Sequence, residues 1–326
     1  MKKLLLISLA ATMLFAQGKF GGVTYFDYTN SSDASAFNFN RQYFMYGVDV
    51  SDDVSFKVIF DVGRTNKGDV VYLNNDGGFE NISEDTRLIA FLKKAQLDWK
   101  SPLGKMSFGM IGMNTYNVQE KNWGYRFIEK SVVDYYGFSA TADLGIRISR
   151  SLMDNLNASM VIVNGEGFKK PQGDDKYHKI ALNATFGEMN LSKNDGYNAG
   201  IVYSTEQTEN DPTNMIGVFG GFAGGGLRIG GQVNQLTKNG ESTQQVVSVN
   251  GNYSISEKLD GFVRYDVYDP NTDSAVIKDG KNYLLAGISM NCGTGFIVAP
   301  NIRMHTNENS SVPSKTEYKI NFQFKF

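Results

Sequence analysis

The chain has one cysteine, two histidines and six prolines in 326 residues, and its 32 basic and 34 acidic residues leave a formal charge of -2. A lone thiol, Cys292, excludes a disulfide framework and any zinc or iron–sulfur centre built from several cysteines. Two histidines leave little material for a metal or acid–base centre. The near-neutral balance lacks the basic excess of a nucleic-acid-binding protein. A mean hydropathy of -0.30, with no long apolar run after the first residues, excludes a bundle of membrane helices. Two classes survive: a soluble globular protein, and a transmembrane β-barrel, which hides its apolar residues by alternation.

What is present begins with a leader. Lys2 and Lys3 precede an apolar stretch from Leu4 to Phe15 that ends at the small residue Ala16. This is the three-part pattern of an export signal, too short to span a membrane. Cleavage is expected after Ala16, with Gly18 as the second choice, so residues 1–16 read as signal peptide and 17–326 as a single barrel domain. Export with one thiol fits a bacterial envelope protein that needs no disulfide.

Beyond the leader the apolar residues recur with period two, the mark of strands with one apolar face. In the last segment Tyr318, Ile320, Phe322, Phe324 and Phe326 oppose Lys319, Asn321, Gln323 and Lys325. Phe56, Val58, Phe60 and Val62 likewise oppose Ser55, Lys57 and Asp61; Leu144, Ile146 and Ile148 oppose Asp143, Gly145 and Arg147. Sixteen strands are predicted, over 19–28, 36–50, 54–64, 87–99, 105–113, 140–149, 157–163, 177–186, 196–204, 214–222, 226–235, 244–254, 259–268, 281–290, 296–305 and 315–326. The segments at 157–163 and around Gly220 to Gly226 are the least patterned, which leaves fourteen strands as the alternative. Connections after even strands are mostly short and those after odd strands mostly long and polar, the arrangement of short periplasmic turns and long extracellular loops in an antiparallel outer-membrane barrel. Tyr25, Tyr28, Trp99, Tyr253, Tyr268 and Tyr318 are candidates for interfacial girdles.

If the apolar face meets lipid, the other face lines the interior, which at sixteen strands is wide enough for water. Parity places Arg41, Lys57, Lys94, Arg147, Lys179, Arg228, Arg264, Arg303 and Lys319 inward, against Asp61, Asp98, Asp143 and Asp266. Basic residues dominate this set, so the wall is expected to favour anions weakly. Same-face pairs such as Arg264 with Asp266 are the plainer reading of part of it. The connection Asn114 to Ser139 mixes Trp123, Tyr125, Phe127, Tyr135 and Tyr136 with Glu120, Lys121, Arg126, Glu129, Lys130 and Asp134. So many rings suit a loop that folds into the barrel and forms its constriction; packing on a neighbouring subunit is the alternative.

Several segments resemble the phosphate-selective porin family of O and P type: Phe39-Asn40-Arg41 leading to Gly47, Asp61 closing an apolar strand, Gly109, Phe127-Ile128-Glu129-Lys130-Ser131, Asp143-Leu144-Gly145 and Val163-Asn164-Gly165. The family's Gly-Gln-x-Lys-x-Pro run is replaced here by Gly109-Met110-Ile111-Gly112-Met113-Asn114. The resemblance therefore implies a sixteen-stranded, often trimeric outer-membrane porin more firmly than it implies phosphate as solute. The partners it implies are outer-membrane lipid and lipopolysaccharide, further copies of the chain in a homotrimer, and the barrel assembly machinery, met through the aromatic strand ending in Phe326. No cofactor and no metal are expected. A calcium reading of 74–78 and 269–273 yields to turn chemistry. The rival functions are a plugged structural or adhesive barrel, and a hydrolase pairing His178 with Ser204.

Overall fold

Alternation of apolar and polar residues closes this chain into a cylinder. The computed structural model describes residues 18–64, 69–73, 79–84, 87–171, 176–209, 211–238, 242–272 and 278–326. The leader expected over 1–16 and the acidic piece 74–78 lie outside the described residues. The wall strands are β1 (Lys19–Ser31), β2 (Ser35–Asp49), β3 (Val54–Arg64), β6 (Leu88–Ser101), β7 (Gly104–Gly112), β8 (Ala142–Met153), β9 (Leu156–Val163) and β10 (Lys179–Gly187). They continue as β11 (Gly196–Glu206), β12 (Thr213–Gly224), β13 (Leu227–Thr237), β14 (Thr243–Ser256), β15 (Leu259–Asp269), β16 (Lys281–Gly293), β17 (Phe296–Asn307) and β18 (Lys315–Lys325). Each pairs antiparallel with its neighbours, and β1 pairs with β18, so the barrel is closed with sixteen strands. Every expected strand is present. The connection at 65–87 also carries a two-stranded sheet, β4 (Asp69–Leu73) with β5 (Phe79–Glu84), read from sequence only as loop.

Closure is tight at the chain ends. The last residue exchanges two backbone hydrogen bonds with Gly22: Gly22 donates to the Phe326 carbonyl at 3.0 Å and Phe326 donates to the Gly22 carbonyl at 3.1 Å. Outside, Phe26 stacks on Phe322 at 4.6 Å. Deleting Phe326 is expected to cost about 1–3 kcal/mol through the unpaired Gly22 groups, read as a lower thermal midpoint by circular dichroism in detergent with the strand content retained.

Valines, isoleucines and aromatics of the outer face lie exposed, among them Ile146, Val218, Ile229, Val249, Val263 and Phe324. A continuous apolar belt of this kind has no place in water; it is the lipid-facing surface of a transmembrane barrel. Trp99, Tyr253 and Tyr318 are exposed on it. Tyr25 and Tyr268 are not: both turn inward, against Tyr43 and Tyr136 respectively.

The inner face is divided. Over β9 to β14 it carries Val161, Val163, Ala181, Val202, Met215, Leu236 and Val246, all buried. This explains why 157–163 is poorly patterned: β9 has apolar residues on both faces. The connection 113–141 folds inward onto that patch through Val118, Val132, Val133 and Phe138. Each such aliphatic side chain contributes about 1.5–3 kcal/mol when fully buried. Two short helices shape the loop, α1 (Asn117–Trp123) and α2 (Val132–Tyr135). Helix α1 stops at Gly124, whose φ of 76° is left-handed and whose N–H returns to the Glu120 carbonyl at 2.8 Å. A Cβ there would also sit 2.2 Å from Arg228 Nη2, so a larger residue would be strained at this φ and would push the Arg228 guanidinium aside.

Candidate solute passage

The loop leaves open the side of the lumen walled by β18, β1 to β3 and β6 to β8, and two bulges decide which charges stand there. In the pairing of β1 with β2, Tyr25 faces Arg41 and Phe26 faces Phe39, so Asn40 is extra and both Asn40 and Arg41 turn inward. Asn40 donates to Asp27 at 2.7 Å. In the pairing of β3 with β6, Ile59 faces Lys94 and Phe60 faces Leu92, which makes Lys93 the extra residue. Lys93 therefore enters the lumen beside Lys94 and reaches the Tyr43 hydroxyl at 2.9 Å. Strict alternation puts Lys93 in lipid; the Lys93-Lys94 doublet, which breaks the period, is the one signal that marks the bulge.

Asp61, fully buried, is held between Arg41 at 3.1 Å and Lys93 at 3.9 Å. Lower on the wall Asp98 pairs with Lys105 at 2.9 Å and accepts from Ser107 and Gln96. Arg147 donates to Ser107 and to the Gly112 carbonyl. Lys57, on the inner face near the short-turn rim, is exposed. On the loop, Arg126 is clamped between Glu120 and Asp134, both at 3.3 Å. Burial pushes the Glu120 carboxyl above its ordinary value, against the opposing pull of Arg126 and Lys93.

Other inward charges take a different place from the one parity gives them. Arg228, Arg264, Asp266 and Arg303, expected along the open lumen, lie under the loop and hold it. Arg228 donates to the Trp123 carbonyl at 3.2 Å, Arg264 to the Lys130 carbonyl at 2.5 Å, and Arg303 to the Ile128 carbonyl at 2.6 Å. Arg264 is 1% exposed and forks onto Asp266; Arg303 pairs with Glu129 at 2.7 Å, which also accepts from Tyr283. Loop rings stack over the same strands, Tyr135 on Tyr283 at 5.5 Å and Tyr125 against Phe262 at 5.2 Å. Asp143, 1% exposed, accepts backbone N–H groups of Leu144 and Gly165 and so secures the chain after β9. Lys179 is buried against Glu206 at 3.3 Å. Ser204 is buried on the inner face while His178 is exposed with the outward parity of Ile180, so the two stand on opposite sides of the wall.

Two cavities flank the loop. One, of about 600 Å³, is lined by Arg41, Arg126, Lys130, Arg303, Lys315 and Lys319 against Asp27, Glu129 and Glu317, with His305 among them. The other, of about 420 Å³, holds the side chains of Lys105, Lys121 and Arg147 and no carboxylate. Among the described residues no cluster of histidine, cysteine and carboxylate groups suits a metal ion.

Closed wall, lipid-facing belt and inward loop together define a loop-constricted, sixteen-stranded transmembrane β-barrel. No protein-family model matches the sequence, and no curated protein matches it. Solved structures give the fold. The chain is similar to the outer-membrane protein OmpT of Vibrio cholerae in its trimer form (13% identity, TM-score 0.64, 95% of this chain and 99% of that one). It is similar to OmpF of Salmonella typhi (11%, TM-score 0.66, 95% and 97%) and to an anion-selective porin from Comamonas acidovorans (11%, TM-score 0.61, 95% and 100%). The fold is that of the outer-membrane porins.

Proposed function

We propose that the protein is a passive diffusion channel of the bacterial outer membrane, open to small hydrophilic solutes and weakly anion-preferring. The observation that carries this reading is the charge of the space left beside the loop. Besides the loop anchor Arg303, five basic residues face three carboxylates in the larger cavity, and three face none in the smaller. A low-dielectric wall focuses such a field and raises the local anion concentration. The open cavity of about 600 Å³ favours a channel over a plugged structural barrel. Phosphate is one small anion such a wall would pass. The dispersal of the basic residues over many strands supports general passage more than a dedicated binding ladder. The trimeric form of the Vibrio relative supports a homotrimer. In this placement the short turns are periplasmic, and the strand that ends in Phe326 is the one presented to the barrel assembly machinery.

Planar-bilayer recording under a salt gradient tests the proposal: conductance with an anion-selective reversal potential is expected, and absence of channels or a cation-selective potential overturns it. The raised Glu120 carboxyl adds a pH signature. A carboxyl shifted upward loses its charge at a higher pH than an ordinary one, so acidification neutralises Glu120 ahead of ordinary carboxylates and strengthens anion preference over the interval between the two. Glu120→Gln is expected to show the stronger preference already at pH 7.5 and a flatter response over that interval.

A further inference from the structure

On the outer wall a groove of about 710 Å³ crosses the strands between β8 and β12. Its floor is a cross-strand row in which Arg150 faces Ala158, Ala158 faces Ala184, and Ala184 faces Ile201. The next row towards the long-loop rim is Ile148, Met160, Leu182, Tyr203 and Ile216, all large. Leu103, in the turn between β6 and β7, and Leu152, near the end of β8, form the opposite lip. Two adjacent alanines thus interrupt a belt of bulky residues and leave a trench. Its floor spans three strand spacings, about 14 Å, and the flanking row stands two residues, about 7 Å, away along the strands. Such dimensions suit one extended hydrocarbon chain.

One end of the trench is charged. Arg150 is exposed and carries the outward parity of Ile148, and its guanidinium makes no hydrogen bond or ion pair with any described residue. It lies four residues before the turn at Asp154 and Asn155, where the barrel emerges at the short-turn rim. A guanidinium at the edge of an apolar surface reaches towards the interface, where phosphate is its natural bidentate partner.

We infer that this groove is a binding site for a phospholipid of the periplasmic leaflet, with one acyl chain over Ala158 and Ala184 and the headgroup phosphate on Arg150. The inference rests on the outward face meeting lipid and on the short-turn rim being periplasmic; it does not depend on which solute crosses the lumen. A second copy of the chain suits the trench less well, because a protein surface laid there would leave Arg150 against an apolar neighbour unless it brought a carboxylate to that spot.

Native mass spectrometry of the full barrel in detergent, titrated with phosphatidylglycerol, tests it. The wild-type chain is expected to retain lipid, and Ala184→Phe, which fills the floor, to lower retention about tenfold by displacing roughly two methylenes. Arg150→Gln is expected to weaken retention severalfold, and Ala158→Leu to repeat the effect of the first variant if that one folds poorly. Bilayer conductance and thermal unfolding, unchanged in each variant, show that the barrel is intact. Equal lipid retention in the wild-type chain and both floor variants overturns the site, and retention unchanged by Arg150→Gln overturns the headgroup contact. Loss of the oligomer in Ala184→Phe with lipid retention unchanged assigns the groove to a second copy instead. Absence of conductance in the wild-type chain bears on the channel alone, because lipid retention is read independently.

Discussion

Replacing Arg303 with alanine is expected to free the inward loop and raise single-channel conductance, with rapid switching between levels. Arg303 donates to the Ile128 carbonyl, to Asn301 and to Glu129, and its removal leaves the largely buried Glu129 carboxylate without a cation, with Tyr283 and the Lys130 N–H as its remaining donors. Breaking a buried pair by deleting one partner costs about 3–5 kcal/mol. That loss falls on residues 126–131, because the barrel wall keeps its own ladder. Arg264 anchors the same segment through the Lys130 carbonyl, so Arg264→Ala with Arg303→Ala should widen the passage further than either alone. Arg303→Lys keeps a charge for Glu129 but lacks the planar fork that reaches a carbonyl and a carboxylate together, and should fall between the two. Conductance equal to the wild-type chain in the double variant would show that stacking and the apolar patch hold the loop without the arginines.

The second large effect is on selectivity. Converting Lys93 and Lys94 to glutamate changes the charge of the inner wall by four units, beside the Asp61 carboxylate that Lys93 now pairs. At about 10 Å from a passing ion each unit is worth about 0.4 kcal/mol in water. Screening at 0.1 M salt leaves roughly a third of that. The sum disfavours an anion by about 0.6 kcal/mol and favours a cation equally, which is about eightfold in the anion-to-cation permeability ratio and enough to reverse a weak preference. The reversal potential under a salt gradient reads it directly. Arg264→Glu makes the informative contrast. It sits under the loop and is 1% exposed, so its effect should come through loop release and larger conductance, with little of the direct charge effect. If Lys93→Glu alone left the reversal potential unchanged, the bulge would not deliver that side chain to the passage.

Both effects turn on residues whose role the sequence disclosed only in part. Parity correctly turned Arg303 and Arg264 inward, yet inward and open are different places once a loop of nearly thirty residues lies inside the barrel. The same holds for Asp143, spent on backbone N–H groups, and for Lys179, spent on Glu206. Lys93 received no direction from the sequence for a different reason: a bulge residue falls outside the alternation from which directions are read. The inward fold of the connection at 113–141 was legible in its rings, since an exposed loop has no use for Trp123, Tyr125 and Tyr136.

By itself the sequence determined where the strands lie and, outside the bulges, the face each turns to lipid, because a period of two is local and repeats in every segment irrespective of what lies opposite; the choice of sixteen over fourteen came with the closed wall. It also determined that the two rims differ, since loop length is written directly in the spacing. Only the tertiary structure decided which inward charges meet water. That choice depends on where the loop comes to rest, and its resting place is set by an apolar patch gathered from β9 to β14 and by arginines on β13, β15 and β17. Those groups lie far apart along the chain, and their joint action is a property of the closed barrel that no single segment carries.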